Sequence, residues 1–527
     1  MVITSAQVQL SVIRYKKSMG KISKKLHSFL GSSRLFWIIF GIFIFEASWI
    51  ALSANYPQAF DENFHFGLIK VYSHYWLPYL TKQPSGANAY GAVASDPSFL
   101  YHYLMGFIYR FINLFAHGQV AQVIIFRFID IGLFASAIVL FRHVLRRVGL
   151  STQLSNITLF LFVLIPVVPQ LAGQVNYDDL LIPLVALSSL LSFNLIDQIK
   201  ANKPSVKTVS WLFLVCISAI LVKIEFAPIS LAIITYLIFI TYKNYKSNFR
   251  KLFNQLLSSW KKQKLSWKLL IIILSLFTVS MFVQKDVVNV VKYHSVNPGC
   301  SRVLSSKDCN QYSVWSSDNS RHVDVIKGKD SSKLMNPIKY LGSWSYWMWY
   351  RLFFAVNGPN NFTNYPPLPL PIAASIIIFI YFIYAFTRYH RRIFKENKYL
   401  LFLGWISFLY VTILIYQGYS AYHYTGALEL MNGRYLLPIL IFIAAIAGSA
   451  FSVSLRSSVS KKIIFSVLIL IMFLEGGGLV TFIVRSNNNW YWDNNEVVKV
   501  NHVAKKLTSK IVVKGRETYS TKDWFFN

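Results

Sequence analysis

Asp61, Glu62 and His65 stand within five positions of one another in NYPQAFDENFHF (55–66), just beyond the first long apolar run. Ionisable side chains are costly beside hydrocarbon, so a cluster at a membrane boundary marks a site. Asp61 and His65 are four apart, and a helical turn would set both on one face. Glu62 would point elsewhere and could cap or orient the loop. Asp61 could instead be the N-cap of an interfacial helix, a position that suits aspartate. From sequence both uses of Asp61 stay open.

A second acidic stretch, Tyr177-Asp178-Asp179, follows a run ending in Pro166 and Pro169 and precedes the apolar run from Leu180. One aspartate could cap the next helix, and two adjacent carboxylates exceed what a cap needs. They could also bind a divalent cation, although two side chains supply too few oxygens to specify one. Cations stand at two later boundaries. Lys223, in LVKIEF, could serve a site, pair locally with Glu225, or snorkel from a helix end. Arg434 could grip a phosphate through two hydrogen bonds or anchor its helix at the interface. Arg127 and Asp130, one turn apart, are expected to pair with each other inside the bundle. His423, Tyr424 and Glu429 in 417–433 are either solvated loop residues or part of an acceptor site. Trp344, Trp347, Trp349 and Tyr350, near Arg351, form either an interfacial belt or a stacking surface for sugar rings.

These residues need a scaffold to bring them together. Of 527 residues, 54% are hydrophobic and only 14% charged, which excludes an ordinary soluble protein. Apolar runs near 35–54, 120–141, 153–171, 180–196, 209–223, 226–242, 267–284, 369–387, 399–416, 434–455 and 463–484 predict an all-α polytopic membrane protein. About eleven transmembrane helices are expected, at ~20 residues each. The net charge of +32 sits in short segments between these runs, as the positive-inside rule requires, and carries no nucleic-acid signature. The basic N-terminus, 1–34, is therefore expected in the cytoplasm and is not a cleavable signal peptide.

Residues 99–117 alternate apolar and polar sides, with Phe99/Leu100, Tyr103/Leu104, Phe107/Ile108 and Phe111/Ile112 opposite His102, Gly106 and Arg110. They predict an amphipathic helix lying along the interface. With that helix flat, the basic segments 142–147, 198–207, 243–268, 388–398 and 456–462 all fall inside. The first outer loop, 55–119, and the large outer loop, 285–368, then share the other face. The large loop ends in a Pro-rich approach (Pro366, Pro367, Pro369, Pro371) to the next span. The transmembrane domain is 35–484, followed by a short extracytoplasmic tail, 485–527. Cys216 reads as a packing residue. Cys300 and Cys309 share the large loop and could form a disulfide if it faces an oxidising compartment. No cysteine spacing suits a metal.

An outward Asp-Glu-x-x-His after the first span and a Tyr-Asp-Asp loop after the third resemble the GT-C superfamily of polyprenyl-phosphate-sugar-dependent glycosyltransferases. The pattern looks like the branch with protein mannosyltransferases and the aminoarabinose transferases of lipid A. Asn432-Gly433-Arg434-Tyr435-Leu436-Leu437-Pro438 resembles a late Gly-Arg-Tyr-x-x-Pro motif of related bacterial membrane proteins. The resemblance implies a catalytic role for Asp61, an outward site at the cytoplasmic membrane, a lipid-phosphate sugar donor and inversion at the anomeric carbon. The polyprenyl phosphate leaves as a stabilised anion, so the reaction needs a carboxylate base and cations for the phosphate. His65 or Asp178 would position the acceptor, which is a glycan, lipid or protein. The competing expectations are a transporter or flippase for lipid-linked sugars, with interrupted helices and charge near mid-membrane, and a non-catalytic envelope-assembly protein.

Overall fold

The computed structural model describes residues 25–510 and 512, apart from 247, 329–333, 359–368 and 456–458. The basic residues Arg14, Lys16, Lys17, Lys21 and Lys24, the prolines Pro366 and Pro367, and the end of the tail lie outside the described residues. Helices dominate, and the one isolated β-bridge among the described residues joins Ala54 to Tyr491.

In chain order the principal helices are α1 (Ser33–Ser53), α2 (Glu62–Tyr72), α3 (Leu100–Ile112), α4 (Gln119–Arg147), α5 (Thr152–Val163), α6 (Val167–Ala172) and α7 (Asp178–Lys200). There follow α8 (Val206–Val222), α9 (Ala227–Tyr245), α10 (Phe249–Lys261), α11 (Leu265–Phe282), α12 (Ser313–Ile326) and α13 (Pro337–Phe353). The last are α14 (Pro369–Glu396), α15 (Lys398–Thr425), α16 (Leu437–Ser454), α17 (Val459–Met472), α18 (Gly478–Arg485) and α19 (Asn495–Thr508). Polar caps fix several starts: the side chains of Ser32, Ser151 and Asn397 accept backbone N–H groups of α1, α5 and α15. Gly426, with φ of 69°, ends α15 in the left-handed region where glycine is favoured.

Among the described residues, eight helical stretches are long and apolar enough to cross a membrane, which makes this an α-helical multi-pass membrane protein. They contain α1, α4, α7, α9, α11, α14, α15 and α16. The other three expected spans are shorter or broken. Residues 153–171 split into α5 and α6 at Pro166, whose ring disfavours helix at Ile165. Residues 463–484 split into α17 and α18 around Gly476-Gly477-Gly478, two of which have positive φ. The third, α8, keeps 17 residues. The two breaks meet each other: Gly478 N–H donates to Leu164 O at 2.6 Å, and Leu479 N–H to buried Glu46 Oε1 of α1 at 3.3 Å.

The bundle has two chemically distinct ends. At one, Asp197 of α7 takes Arg147 of α4 at 2.5 Å and also binds Lys398 and Tyr399 of α15. Asn244 of α9 donates to Ile199 O nearby. Segments 142–147, 198–207 and 388–398 therefore gather on one side, as their charge predicts. The opposite end carries the first loop and the starts of α7 and α16.

Helix α3 forms within the expected 99–117 segment, but its polar side faces the protein. His102 is fully buried, and Gly106 lies against the backbone of Tyr72 and Ser73, where a Cβ would come within 3.0 Å. Leu104, Phe111, Leu114 and Phe115 remain exposed, as do Trp76 and Leu77 before the helix.

Candidate active site at the acidic end of the bundle

Glu62 is the fixed point of the site. It is wholly buried, and its carboxylate takes Arg127 Nε and Nη2, each at 2.8 Å. The same oxygens accept Gln58 N–H at 2.7 Å and Val175 N–H at 3.0 Å. Arg127 spends its remaining donors on Ala51 O, Ala54 O and Asn55 O. A bidentate, fully satisfied pair of this kind is among the strongest polar contacts and is costly to break. It ties the end of α1, the start of α2, α4 and the loop before α7 together. The expected Arg127–Asp130 pair does not form. Asp130 instead accepts Tyr101 Oη at 2.7 Å and Asn176 N–H at 3.3 Å. Each Glu62 oxygen accepts two hydrogen bonds, so the carboxylate holds the loop in place.

Asp61, one residue earlier, is held differently. Phe60 and Asp61 have φ of 59° and 68°, two consecutive non-glycine residues in the left-handed region. Such conformations cost ~1–3 kcal/mol each and persist only where surroundings enforce them. Asp61 occupies the cap position of α2, yet its side chain makes no capping bond. Its carboxylate, 58% exposed, reaches Arg434 Nη2 at 3.0 Å across 373 residues of sequence.

Arg434 is placed by its own motif. The Asn432 side chain accepts Arg434 N–H at 3.1 Å and opens a short turn, Gly433–Leu436. A Cβ at Gly433 would meet the backbone of Leu352 in α13 at 2.6 Å, so only glycine fits. Pro438 then starts α16. The guanidinium is 10% exposed and lies over Phe60 and Tyr435, and its Nε and Nη1 have no hydrogen-bond partner among the described residues.

Tyr177, Asp178 and Lys223 complete the group. Asn176 Oδ1 accepts Asp178 N–H at 3.0 Å, and neither Asp178 nor Asp179 caps α7 with its side chain. Buried Asp178 pairs with Lys223 Nζ at 2.8 Å, in place of the alternative pair with Glu225. Lys223 sits at the joint of α8 and α9, where Ser98 Oγ of the first loop accepts Ile224 N–H at 3.1 Å. Its ammonium lies 4.5 Å from the Tyr177 ring centre and 5.4 Å from that of Tyr435, which also flanks Arg434. Both carboxylates, Asp61 and Asp178, thus meet around Tyr435, each held by a cation. Asp179 is fully buried, and neither of its oxygens is hydrogen-bonded among the described residues.

His65 is buried behind Tyr177, with ring centres 4.4 Å apart, and its Nδ1 lies 2.9 Å from His102 Nε2. One of the two nitrogens must donate, so the pair fixes its own tautomers. Burial, with the cations Arg434 and Lys223 nearby, holds His65 well below the usual imidazole range, and burial pushes His102 down to about 3. Both rings are neutral near pH 7. His102 is a site residue that sequence patterning placed on the polar side of α3 without a role.

His423 and Glu429 lie elsewhere. Exposed His423 packs its ring edge on Tyr419, and Glu429 pairs with Arg321 of α12 at 3.0 Å. The aromatic run of α13 touches the site through the backbone of Leu352. No three His, Cys, Asp or Glu side chains converge as a metal-ligand set among the described residues.

Residues 300–312 and the tail brace this end. Cys300 and Cys309 are joined as a disulfide, and Asp308 beside it accepts Asn88 Nδ2 of the first loop at 3.0 Å. Tyr312 covers Phe64, ring centres 6.0 Å apart. From the tail, Asn55 N–H donates to Trp490 O at 2.7 Å and Trp492 N–H to Ser53 O at 3.1 Å, while the Trp492 ring lies 5.4 Å from the Arg127 guanidinium. No protein-family model matches this chain, and no curated protein matches it in sequence.

Proposed function

We propose that this chain is an integral-membrane glycosyltransferase that moves a sugar from a polyprenyl-phosphate donor to an acceptor outside the cytoplasmic membrane. The observation that carries the reading is the pairing of an exposed, strained Asp61 with a buried arginine that keeps two nitrogens for another partner. Asp61 takes the proton of the acceptor hydroxyl as its oxygen forms a bond to the anomeric carbon. The bond from that carbon to the phosphate oxygen breaks with inversion, and the polyprenyl phosphate leaves with the electron pair. Arg434 and Lys223 stabilise the phosphate charge as it develops, so no general acid is needed. Tyr177 and His65 shape the neutral wall against which an acceptor would lie.

The disulfide supports an outward orientation. Disulfides persist in oxidising compartments, and Asp308 beside this one accepts a hydrogen bond from Asn88 of the first loop, on the side of Asp61. The opposite, basic end then faces the cytoplasm.

A second reading, a transporter of lipid-linked sugars, draws on the crossing of two interrupted helices beside Glu46. There the Glu46 carboxylate caps the start of α18, a structural use that accounts for the contact. The transfer reading is preferred because the cations and the exposed base collect at the end of the bundle. Comparison of envelope glycans and lipid-linked sugars in cells with the wild-type chain and with Asp61→Asn tests it. Transfer predicts that one lipid-linked sugar accumulates and one glycan loses a residue in the variant. Unchanged profiles would overturn it.

A further inference from the structure

Between α9 and α11, at the basic end, the expected loop 243–268 contains the 13-residue helix α10. Asn248 caps it by accepting Lys251 N–H, and the chain from Phe226 to Lys285 contains no carboxylate. The helix is sharply two-sided. Phe249, Phe253 and Leu257 recur every four residues and are 53%, 64% and 41% exposed. Leu252, Leu256 and Trp260 fall on the same half, while Arg250, Lys251, Asn254, Ser258, Lys261 and Lys262 take the other.

The seam between the two halves, at Gln255 and Ser259, is anchored to the bundle. Ser259 Oγ accepts Val206 N–H at 3.1 Å, and Gln255 Oε1 accepts Tyr245 Oη at 2.6 Å. Leu252 packs on the core and Trp260 meets the Trp267 ring at 5.8 Å, whereas Phe249, Phe253 and Leu257 form an exposed row. It is continuous with lipid-facing surface at both ends, through exposed Tyr242 at the end of α9 and exposed Leu265 at the start of α11.

We infer that α10 lies in the plane of the membrane on the leaflet at the basic end, with its apolar row among acyl chains and its basic flank on anionic phospholipid headgroups. Positive charge in an inner loop needs no helix, and a solvated loop needs no apolar row. The segregation of the two along one short helix is what an interfacial anchor requires. The occupant is an anionic bilayer surface because every charge on the helix is positive and no acidic side chain stands near it in sequence. This inference rests on the membrane placement and is independent of the transfer reaction.

The test uses the full chain in nanodiscs of phosphatidylcholine, with or without phosphatidylglycerol. In a Cys216→Ala background, nitroxide labels are placed at Phe253→Cys and, separately, at Ser258→Cys. The label at 253 is expected to collide mainly with oxygen and the label at 258 mainly with a water-soluble nickel chelate. Phosphatidylglycerol should raise the melting temperature of the wild type, and neutralising Arg250, Lys251, Lys261 and Lys262 to glutamine should remove that increment. A label at 253 that meets the nickel chelate as readily as the one at 258 would overturn the inference. Shielding of 253 from both quenchers would also overturn it, since it would mean protein contact. Unaltered melting of the labelled variants in phosphatidylcholine controls for folding.

Discussion

Two carboxylates that are neighbours in sequence have opposite environments. Glu62 is buried and saturated by Arg127 and two backbone N–H groups, whereas Asp61 is exposed and shares one nitrogen of Arg434. In the proposed reaction the first is structural and the second is the base. Arg434→Ala should therefore lower donor affinity with the protein still accumulating in the membrane. Arg434→Lys should restore little, because a point charge cannot reproduce a two-nitrogen grip; titration of donor against both variants checks this. Recovery of full affinity by lysine would contradict a bidentate role. The His65–His102 pair makes a prediction about pH. Both folded-state values lie below the ordinary 6.5, so the stability they contribute is complete above pH 6.5 and declines as pH falls toward the folded-state values. The slope is at most about 1.4 kcal/mol per pH unit for each ring. Melting in detergent between pH 7 and 5 should therefore fall more steeply for the wild type than for His102→Gln.

Among the elements, the tail has the least expected position. Its contacts with Ser53 and Asn55, and the Trp492 ring over Arg127, brace the turn that leads to Asp61. Trp492→Ala removes the stacking partner of a buried guanidinium, and cation–π contacts of this kind contribute about 0.5–2 kcal/mol. It should loosen the first loop and slow transfer while the eight long helices remain inserted; Trp492→Phe should restore most of the rate. Equal rates in all three proteins would show that the tail merely covers the surface. Apolar period and basic segments made the long helices legible from sequence, as did the helical nature of 99–117. Breaks at Pro166 and at Gly476–Gly478 were less so, because apolar composition alone does not register a turn inside a run. The facing of α3 was also hidden: its polar side holds His102 against His65, a tertiary contact that no periodicity encodes.

Across the whole molecule, one end of the bundle gathers basic segments around Asp197, and the other gathers Asp61, Asp178, Lys223 and Arg434. The sequence singled out those four residues by type and by their place beside apolar runs, but not their pairing. Lys223 with Asp178 and Arg434 with Asp61 are separated by 45 and 373 positions, and their meeting depends on how α7, α8 and α16 assemble. The expected loop 417–433 is helical as far as Thr425, so His423 lies in the last turn of α15 against Tyr419, while Glu429 follows the helix and pairs with Arg321. The account stands on Asp61 acting as a base where a lipid phosphate departs. The most direct measurement incubates the purified, reconstituted protein with a panel of polyprenyl-phosphate sugars and follows release of free polyprenyl phosphate. The wild type should release it from one donor, and Asp61→Asn should be slower by about 10²–10⁴-fold, the contribution of a general base. Undiminished release by Asp61→Asn, or passage of the donor across the bilayer with its sugar still attached, would contradict the account.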